Sequence, residues 1–145
     1  MSDATVQLAS FAELDAATLY ALLKLRVDVF VVEQNCAYPE LDGRDTEPGA
    51  RHLWTSDATG PTSYLRILEE PDDVIRIGRV VVAGRARGSG AAGRLMDAAL
   101  AYIGTRTAVH DAQSYLVDFY ARYGFTKTGP EFLDDGIPHM PMARP

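Results

Sequence analysis

The stretch IGRVVVAGRARGSGAAGRLM, residues 77–96, decides which fold this chain adopts. An apolar strand runs into a basic, glycine-rich turn, and helical spacing of apolar residues follows the turn. Residues 88–93 spell G-x-G-x-x-G, which is typical of a dinucleotide-binding turn. Residues 87–92 spell R-x-x-G-x-A, a different phosphate-binding loop. The two frames predict different cofactors.

Both frames predict that the turn holds a phosphate group. Glycines let main-chain N–H groups approach a phosphate closely, and the following helix directs its positive end at the same place. Arg85 and Arg87 add cationic side chains. The alternative is a strand-to-helix turn whose glycines serve tight geometry alone.

Length and charge limit the classes of protein that fit. The 145 residues are 47% apolar and 23% charged, as in ordinary globular proteins, and the length predicts a single domain over residues 1–145. A net charge of −6 argues against nucleic acid as the main partner, because neutralising phosphates needs a basic face. No stretch approaches about 18 uninterrupted apolar residues, so we expect no membrane partner.

Cysteine and histidine usage adds two expectations. Cys36 is the only cysteine, so we expect a free thiol in a reducing compartment. Together with a start that lacks a secretory signal pattern, it predicts a cytoplasmic location. The three histidines are widely separated, without H-x-x-x-H spacing or cysteine pairs, and we expect no metal site.

The order of elements predicts a mixed α+β fold. Strands at residues 52–55, 63–69 and 74–83 are separated by short turns and predict an antiparallel meander. We also expect the following elements: a strand at 5–9, a helix capped by Asp15 that ends near Glu33, a polar loop at 35–49, a helix at 90–104, a strand at 107–111, a short helix from Ser114 to about Tyr123, and a hairpin turning at 134–136.

The dinucleotide frame fits this order poorly. In its favour, a strand precedes the turn, a helix follows it, and Asp111 lies about 20 residues downstream, where a ribose-binding acid is expected. Against it, residues 83–87 separate the strand from the first glycine. The upstream strands also look antiparallel, and only about 50 residues follow the loop, too few for a doubly wound domain. The R-x-x-G-x-A frame fits better.

The same residues resemble a known family. The stretch at 77–96 looks like the acetyl-CoA loop of the GNAT superfamily of N-acetyltransferases, with the signature [R/Q]-x-x-G-x-[G/A]. VDFYARYGF, residues 117–125, is similar to the family helix that ends F-Y-x-x-x-G-F. LYALLKLRVDVFVVEQNCAYPELDGRD at 19–45 and DGIPHMPM at 135–142 resemble the ElaA-like branch. The resemblance spans nearly the whole chain.

The resemblance implies a GNAT-like α+β fold, with a mixed, mostly antiparallel central sheet and helices on both faces. It implies an acyl-CoA-dependent N-acetyltransferase that moves an acetyl group from acetyl-CoA to a small-molecule or peptide amine by direct attack. Dimerisation is common among relatives, which leaves a homodimer open. A non-catalytic acyl-CoA-binding regulatory module and a small dinucleotide-binding domain stay open as alternatives.

The resemblance also implies cofactor contacts. The pantetheine arm would pair with the main chain of Val80, Val81 and Val82, and the amide of Val82 would polarise the thioester carbonyl. The pyrophosphate would bind the main-chain N–H groups of six loop residues: Arg87, Gly88, Ser89, Gly90, Ala91 and Ala92. Gly93, one turn further on, would serve close helix packing instead.

For catalysis, the family helix places a general acid at Tyr120, which would protonate the departing CoA thiolate. The general base is open, because the strand before the loop lacks the carboxylate that many relatives carry there. The candidates are Glu33, His110 and His139, and a water chain or the lack of a dedicated base stays open. The acidic residues within 35–49 are expected to form a solvated rim that attracts a cationic amine: Glu40, Asp42, Asp45 and Glu47.

Overall fold

The computed structural model describes residues 3–145, with side chains from Thr5 onward, and contains one mixed sheet with helices. The strands follow the order β1-β2-β3-β4-β5-β8-β6, and β7 also pairs with β8. Their bounds are β1 Asp3–Ala9, β2 Arg51–Asp57, β3 Gly60–Glu70, β4 Val74–Val82, β5 Ala108–Gln113, β6 Thr126–Lys127, β7 Phe132–Asp134 and β8 Ile137–Arg144. The α-helices are α1 Ala16–Val27, α2 Ala91–Ile103 and α3 Val117–Ala121. Among the strands of residues 3–145, only β4 and β5 pair in parallel, which confirms the predicted mixed, mostly antiparallel sheet.

Alternating side chains of β2 and β3 divide the core between the two faces of the sheet. Leu53 and Leu65 pack with α2, whereas the neighbouring Trp54 and Tyr64 pack with α1. Because successive residues of a strand point to opposite faces, α1 and α2 cover opposite sides. Helices therefore lie on both faces, as predicted.

The first long helix begins as predicted but changes pitch. Asp15 Oδ1 accepts a hydrogen bond from the Thr18 amide at 2.7 Å, which confirms the N-cap. α1 ends at Val27, and residues Asp28–Glu33 continue as a π-helix. The predicted end near Glu33 is correct, but the wider last turns were not visible in the apolar spacing. π-helical segments are rare and frequent at functional sites.

The parallel pair β4–β5 opens after two residue pairs. Only Ile75 with Ala108 and Arg76 with Val109 are in register. One residue further along, the imidazole Nδ1 of His110 contacts the Ile77 carbonyl at 2.8 Å. A side chain thus takes the place of the next ladder hydrogen bond, and the two strands diverge beyond it.

A bulge in β4 lies at the same point. Gly78 pairs with Arg66 and Val81 with Tyr64, so two residues, Arg79 and Val80, oppose a single residue of β3. Arg79 has a φ of +54°, the left-handed value that the first residue of a glycine-type bulge adopts. An extra residue shifts the alternation of the strand by one position from there on.

The predicted helix from Ser114 is divided into two pieces. A 3-10 turn covers Ser114–Leu116 and α3 follows it. The Ser114 hydroxyl is buried and has no hydrogen-bond partner among residues 3–145, so the expectation that it caps the helix was wrong. The predicted turn of the last hairpin is confirmed, because Asp135 and Gly136 join β7 to β8 with φ values of +50° and +81°.

None of the helices within residues 3–145 has the length and apolar character needed to span a bilayer.

Candidate active site

A cleft of about 490 Å³ opens where β4 and β5 diverge. The cleft is lined by the second half of β4, by Arg87 and Ala92 of the glycine-rich turn, and by Tyr120 of α3. Tyr38 of the 35–49 loop, Glu33 and His139 of β8 also line it. The cleft therefore brings together the predicted valines and the predicted catalytic residues, whereas four of the predicted loop residues are outside its lining: Gly88, Ser89, Gly90 and Ala91.

The glycine-rich turn presents open main-chain donors at the start of α2. Gly88 and Gly90 both have a φ of +82°, which favours glycine. Within residues 3–145, four amides of the turn donate no hydrogen bond: Gly88, Gly90, Ala91 and Ala92. A run of free N–H groups at a helix N-terminus is suited to binding an anion.

Two of the six predicted amides are already used inside the turn. The Arg87 amide donates to the Gly84 carbonyl at 3.4 Å, and the Ser89 amide donates to the Ala86 carbonyl at 3.2 Å. The predicted set of pyrophosphate donors is therefore reduced to four in this conformation, because a tight 3-10 turn precedes the open amides.

The arginines around the turn are not equally free. Arg85 donates to the Asp57 carboxylate at 3.1 Å and to the Gly60 carbonyl, which ties it to the β2–β3 turn. Arg94 donates to the Ser89 carbonyl at 3.0 Å. Arg87 lines the cleft, so it is the arginine of the turn best placed to meet a ligand there.

Gly93 serves packing between helices. A Cβ atom at this position would lie 2.8 Å from the Tyr123 hydroxyl, closer than side-chain atoms normally approach. Gly93 therefore lets α2 come close to the segment after α3, which agrees with the role that the sequence indicated. The G-x-G-x-x-G pattern of residues 88–93 arises because Gly93, which serves packing, directly follows the glycine-rich turn.

The bulge decides which valines of β4 present their main chain to the cleft. The Ala83 amide donates to Thr62 of β3 at 2.8 Å, so Ala83 and, by alternation, Val81 face β3. Val80 and Val82 then face away from β3, and the Val82 carbonyl accepts a hydrogen bond from Arg87 Nε at 3.3 Å. Of the three predicted valines, Val81 is the exception, because its main chain belongs to the β3 ladder.

Tyr120 is buried in an aromatic cluster beside the cleft. Its side chain is 2% exposed, with ring centroids 4.3 Å from His110 and 5.1 Å from Phe119. Burial raises the pKa of Tyr120 above its usual value, so the phenol is protonated at neutral pH. The hydroxyl donates to no group within residues 3–145, and its proton is available to a ligand.

His110 is neutral and structural in this position. Since the Ile77 carbonyl can only accept, His110 Nδ1 carries the hydrogen. Burial lowers the pKa of His110 to about 4, against the smaller opposing effect of that hydrogen bond. A group of such low basicity is a poor acceptor for the proton of an amine, which argues against His110 as the general base.

The pKa of His110 predicts a loss of stability in mild acid. Its folded-state value of about 4 lies below the ordinary 6.5, so the unfolded chain binds the proton first as the pH falls. The stabilising effect is complete above pH 6.5 and is lost toward pH 4. We expect His110→Gln to lose roughly 2 kcal/mol less stability than the wild type between pH 7 and pH 5, measured by urea unfolding. Equal losses would contradict this expectation.

The other two candidates for the general base, His139 and Glu33, differ in how their side chains are bonded. His139 Nδ1 donates to the Ile137 carbonyl at 2.7 Å, and the ring stacks on Phe132 at 5.8 Å. In the neutral ring the lone pair is then on Nε2, which has no partner within residues 3–145. Glu33 is paired with Arg87 Nη2 at 2.7 Å. Both side chains of that pair are about half exposed, at 48% and 47%, so the pair is weak.

The expected solvated rim is only half present: Asp42 is exposed and Glu47 is partly exposed, whereas Glu40 and Asp45 are buried. Glu40 and Asp45 are only 3% and 7% exposed, and both accept from Arg26 at 2.7 Å. For Asp42, burial alone would raise the pKa, but hydrogen bonds from Arg66 outweigh burial and hold the pKa below its usual range. These carboxylates are neutralised by arginines from α1 and β3, a pairing that loop composition could not reveal.

Two carboxylates on the last hairpin line the cleft without an arginine partner within residues 3–145. Asp134 and Asp135 line the cleft, and neither has an ion-pair partner within the described part of the chain.

No three His, Cys, Asp or Glu side chains among the described residues converge on a point where a metal ion could bind.

Comparisons with known proteins agree with this geometry. Residues 24–144 match the acetyltransferase (GNAT) domain family. The chain is 54% identical to UPF0039 protein Rv2851c of Mycobacterium tuberculosis, over 92% of this chain and 88% of the relative. It is 40% identical to protein ElaA of Escherichia coli, over 92% of this chain and 91% of that protein.

Solved structures give the same result. The crystal structure of Escherichia coli ElaA superposes with a TM-score of 0.92 at 36% identity and covers all of both chains. An acyl-CoA N-acyltransferase from Pseudomonas aeruginosa gives a TM-score of 0.91 at 37% identity, over 97% of this chain and 99% of the other. The fold is thus that of the acyl-CoA N-acyltransferases. The chain belongs to the GNAT acetyltransferase family and is similar to its ElaA members.

Proposed function

We propose that this protein transfers an acetyl group from acetyl-CoA to a primary amine. The observation that carries the proposal is that a turn with open main-chain amides borders, through Arg87 and Ala92, a cleft that is also lined by a buried tyrosine whose hydroxyl has no partner within residues 3–145. The turn is suited to a pyrophosphate, and the tyrosine to a leaving group that needs a proton. Family membership supports an acyl-CoA donor.

The cofactor would lie along β4. Its pyrophosphate would accept hydrogen bonds from the free amides at the start of α2, and its pantetheine arm would take the edge of β4 that β5 leaves open. To reach the Val82 carbonyl it would displace Arg87 Nε, 3.3 Å away. The displaced Arg87 would still be able to contact the pyrophosphate.

The transfer step follows from the same positions. The neutral amine attacks the thioester carbonyl and forms the C–N bond, while the amides of Val80 and Val82 stabilise the developing oxyanion. As the C–S bond breaks, Tyr120 gives its proton to the thiolate. Burial raises the pKa of the Tyr120 phenol. It also raises the pKa of a CoA thiol beside it, because it disfavours the thiolate, so the two pKa values shift in the same direction.

The proton of the attacking amine needs an acceptor. His139 is the base that we propose, because it lines the cleft and its Nε2 has no partner within residues 3–145, whereas the Glu33 carboxylate pairs with Arg87. That surface pair is weak, so Glu33 is the second candidate. We expect His139→Gln to lower kcat/KM for the amine by about 100-fold, and Glu33→Gln to lower it less than tenfold. Initial rates with saturating acetyl-CoA measure both values. The reverse order of effects would assign the base to Glu33.

A protonated amine that enters the cleft would be attracted by Asp134 and Asp135, which line it. Cys36 is a buried free thiol, which fits a reducing compartment such as the cytoplasm. The acceptor that we propose is therefore a small or peptide amine of the cytoplasm.

A transfer assay tests the proposal. Release of the CoA thiol from acetyl-CoA is followed with a thiol reagent across a panel of mono-, di- and polyamines, amino acids and lysine peptides. We expect amine-dependent release, with acetylated amine detected by mass spectrometry in equal amount. Tight acetyl-CoA binding without release on any amine would favour the regulatory module over an enzyme.

A further inference from the structure

Arg79 occupies a main-chain conformation that favours glycine. Its φ is +54°, at the first position of the β4 bulge, where the side chain of an arginine crowds the main chain. A residue of this kind persists in the left-handed region only when its surroundings hold it there. The contacts of the Arg79 side chain identify those surroundings.

The 35–49 loop holds the Arg79 guanidinium from several sides. Nη2 donates to the Glu40 carbonyl at 3.0 Å and to Asp42 Oδ2 at 3.3 Å. Nε lies 2.9 Å from Glu40 Oε2 as an ion pair without hydrogen-bond geometry. The guanidinium also lies over the Tyr38 ring, 5.8 Å from its centroid. A planar cation with several donors is suited to being fixed in this way.

The loop is itself anchored to the rest of the fold. Glu40 Oε2 accepts from Arg26 Nε of α1 at 2.7 Å, where both side chains are almost fully buried. Asp42 accepts from Arg66 of β3 at 2.8 Å. The clamp on Arg79 therefore connects the bulge to α1 and β3 rather than to a mobile surface segment.

We propose that Arg79 is a positioning residue for acyl transfer, which rests on the proposed function of the cleft. The clamp holds the extra residue of β4 in place, and the extra residue determines that Val80 and Val82 face the cleft. Removing one residue from the bulge would exchange the two edges of the strand beyond it. The main chain of Val81 would then face the cleft, and the amides aimed at the thioester oxygen would turn to β3.

Arg79→Gly tests whether the bulge needs the clamp on the side chain or only a residue that tolerates a positive φ. Glycine adopts a positive φ without crowding, so a bulge that needs only this freedom would be unharmed or improved by the change. A bulge that needs the clamp would lose its fixed geometry. Arg79→Lys keeps the positive charge but loses the forked donors of the guanidinium. It replaces Arg79→Gly in the test if Arg79→Gly does not fold.

The matched control is Arg44→Gln. Arg44 lies in the same loop and pairs with Glu47 and Glu70, and the structure shows no side-chain bond from it to β4. It removes a comparable set of ion pairs without reaching the bulge. We expect the control to keep wild-type kcat.

Two measurements test the proposal. Hydrogen exchange of residues 77–83 in the ligand-free protein reports on the bulge itself, and we expect faster exchange in Arg79→Gly than in the wild type or control. The infrared carbonyl stretch of bound ¹³C-acetyl-CoA reports on polarisation of the thioester. We expect the wild type to lower its frequency, and Arg79→Gly to lose most of that shift and about 10- to 100-fold in kcat, with less than a threefold change in the Kd of CoA.

Different failures have different meanings. Unchanged exchange, carbonyl frequency and kcat in Arg79→Gly and Arg79→Lys would overturn the role of Arg79 and leave the proposed function standing. A wild type that binds no acetyl-CoA would overturn the proposed function, and the exchange result alone would then decide whether the loop holds the bulge. A variant that loses kcat and CoA affinity in equal measure would show a general loss of structure, which would also overturn the positioning role.

Discussion

Gly90→Glu is expected to abolish acetyl-CoA binding, with a loss of at least about 100-fold in affinity. Gly90 is the N-cap of α2 with a φ of +82°, so a side chain strains the turn that presents the open amides. The new carboxylate would also lie at the positive end of the helix and repel the pyrophosphate. Calorimetric titration measures the loss.

The control for this change lies at the other end of the same helix. Gly104 also has a positive φ, +66°, and no atom lies within 4 Å of a Cβ built there. Gly104→Glu therefore imposes at least as much backbone strain, because ψ is −128° at Gly104 and +9° at Gly90, and it places the same charge far from the turn. Equal losses of affinity in the two variants would show that the effect comes from destabilisation of α2, not from a phosphate site.

Tyr120→Phe is expected to lower kcat by about 100-fold or more, while acetyl-CoA affinity changes less than threefold. The change removes one hydroxyl from a side chain that is 2% exposed and packed against His110 and Phe119. The ring contacts stay, and the proton for the thiolate is lost. Steady-state rates with titration of acetyl-CoA separate the two quantities.

Tyr123→Phe is the matched control for the acid. Tyr123 follows α3 and packs near Gly93 and Phe119, outside the lining of the cleft. We expect wild-type kcat for this variant. If Tyr120→Phe kept wild-type turnover, water or another donor would protonate the thiolate, and the role of Tyr120 would be packing alone.

Local rules predicted most of the fold. Turn residues and alternating patterns located the β2–β3–β4 meander, Asp15 capped α1 as expected, and Asp135 with Gly136 formed the last turn. The failures are tertiary in origin. Ser114 has the side chain of a helix cap, but it is the first residue of a 3-10 turn, where its buried hydroxyl has no partner among the described residues.

The position of the candidate site was predictable from the sequence, but the burial and ion pairing of its residues were not. The glycine pattern located the turn with open amides, because positive φ values and free amides are local properties. Loop composition indicated a solvated acidic rim, yet Glu40 and Asp45 are buried against Arg26. That pairing joins residues 14 and 19 positions apart in the chain. An arginine within the apolar pattern of α1 was the only signal of it.

The bulge was equally hidden from the sequence. Arg79 lies between apolar residues of a strand, and nothing local indicates that it adopts a positive φ. Its conformation depends on Glu40 and Asp42, about 40 positions earlier in the chain. Since the bulge shifts the alternation of β4, the main-chain roles of Val80, Val81 and Val82 could not be separated until the register with β3 was known.

Calorimetric titration of the wild-type protein with acetyl-CoA and, in parallel, with NADH tests the central claim most directly. The R-x-x-G-x-A frame of residues 87–92 predicts micromolar binding of acetyl-CoA and none of NADH. Binding of NADH without acetyl-CoA would contradict it and return the turn to the dinucleotide frame.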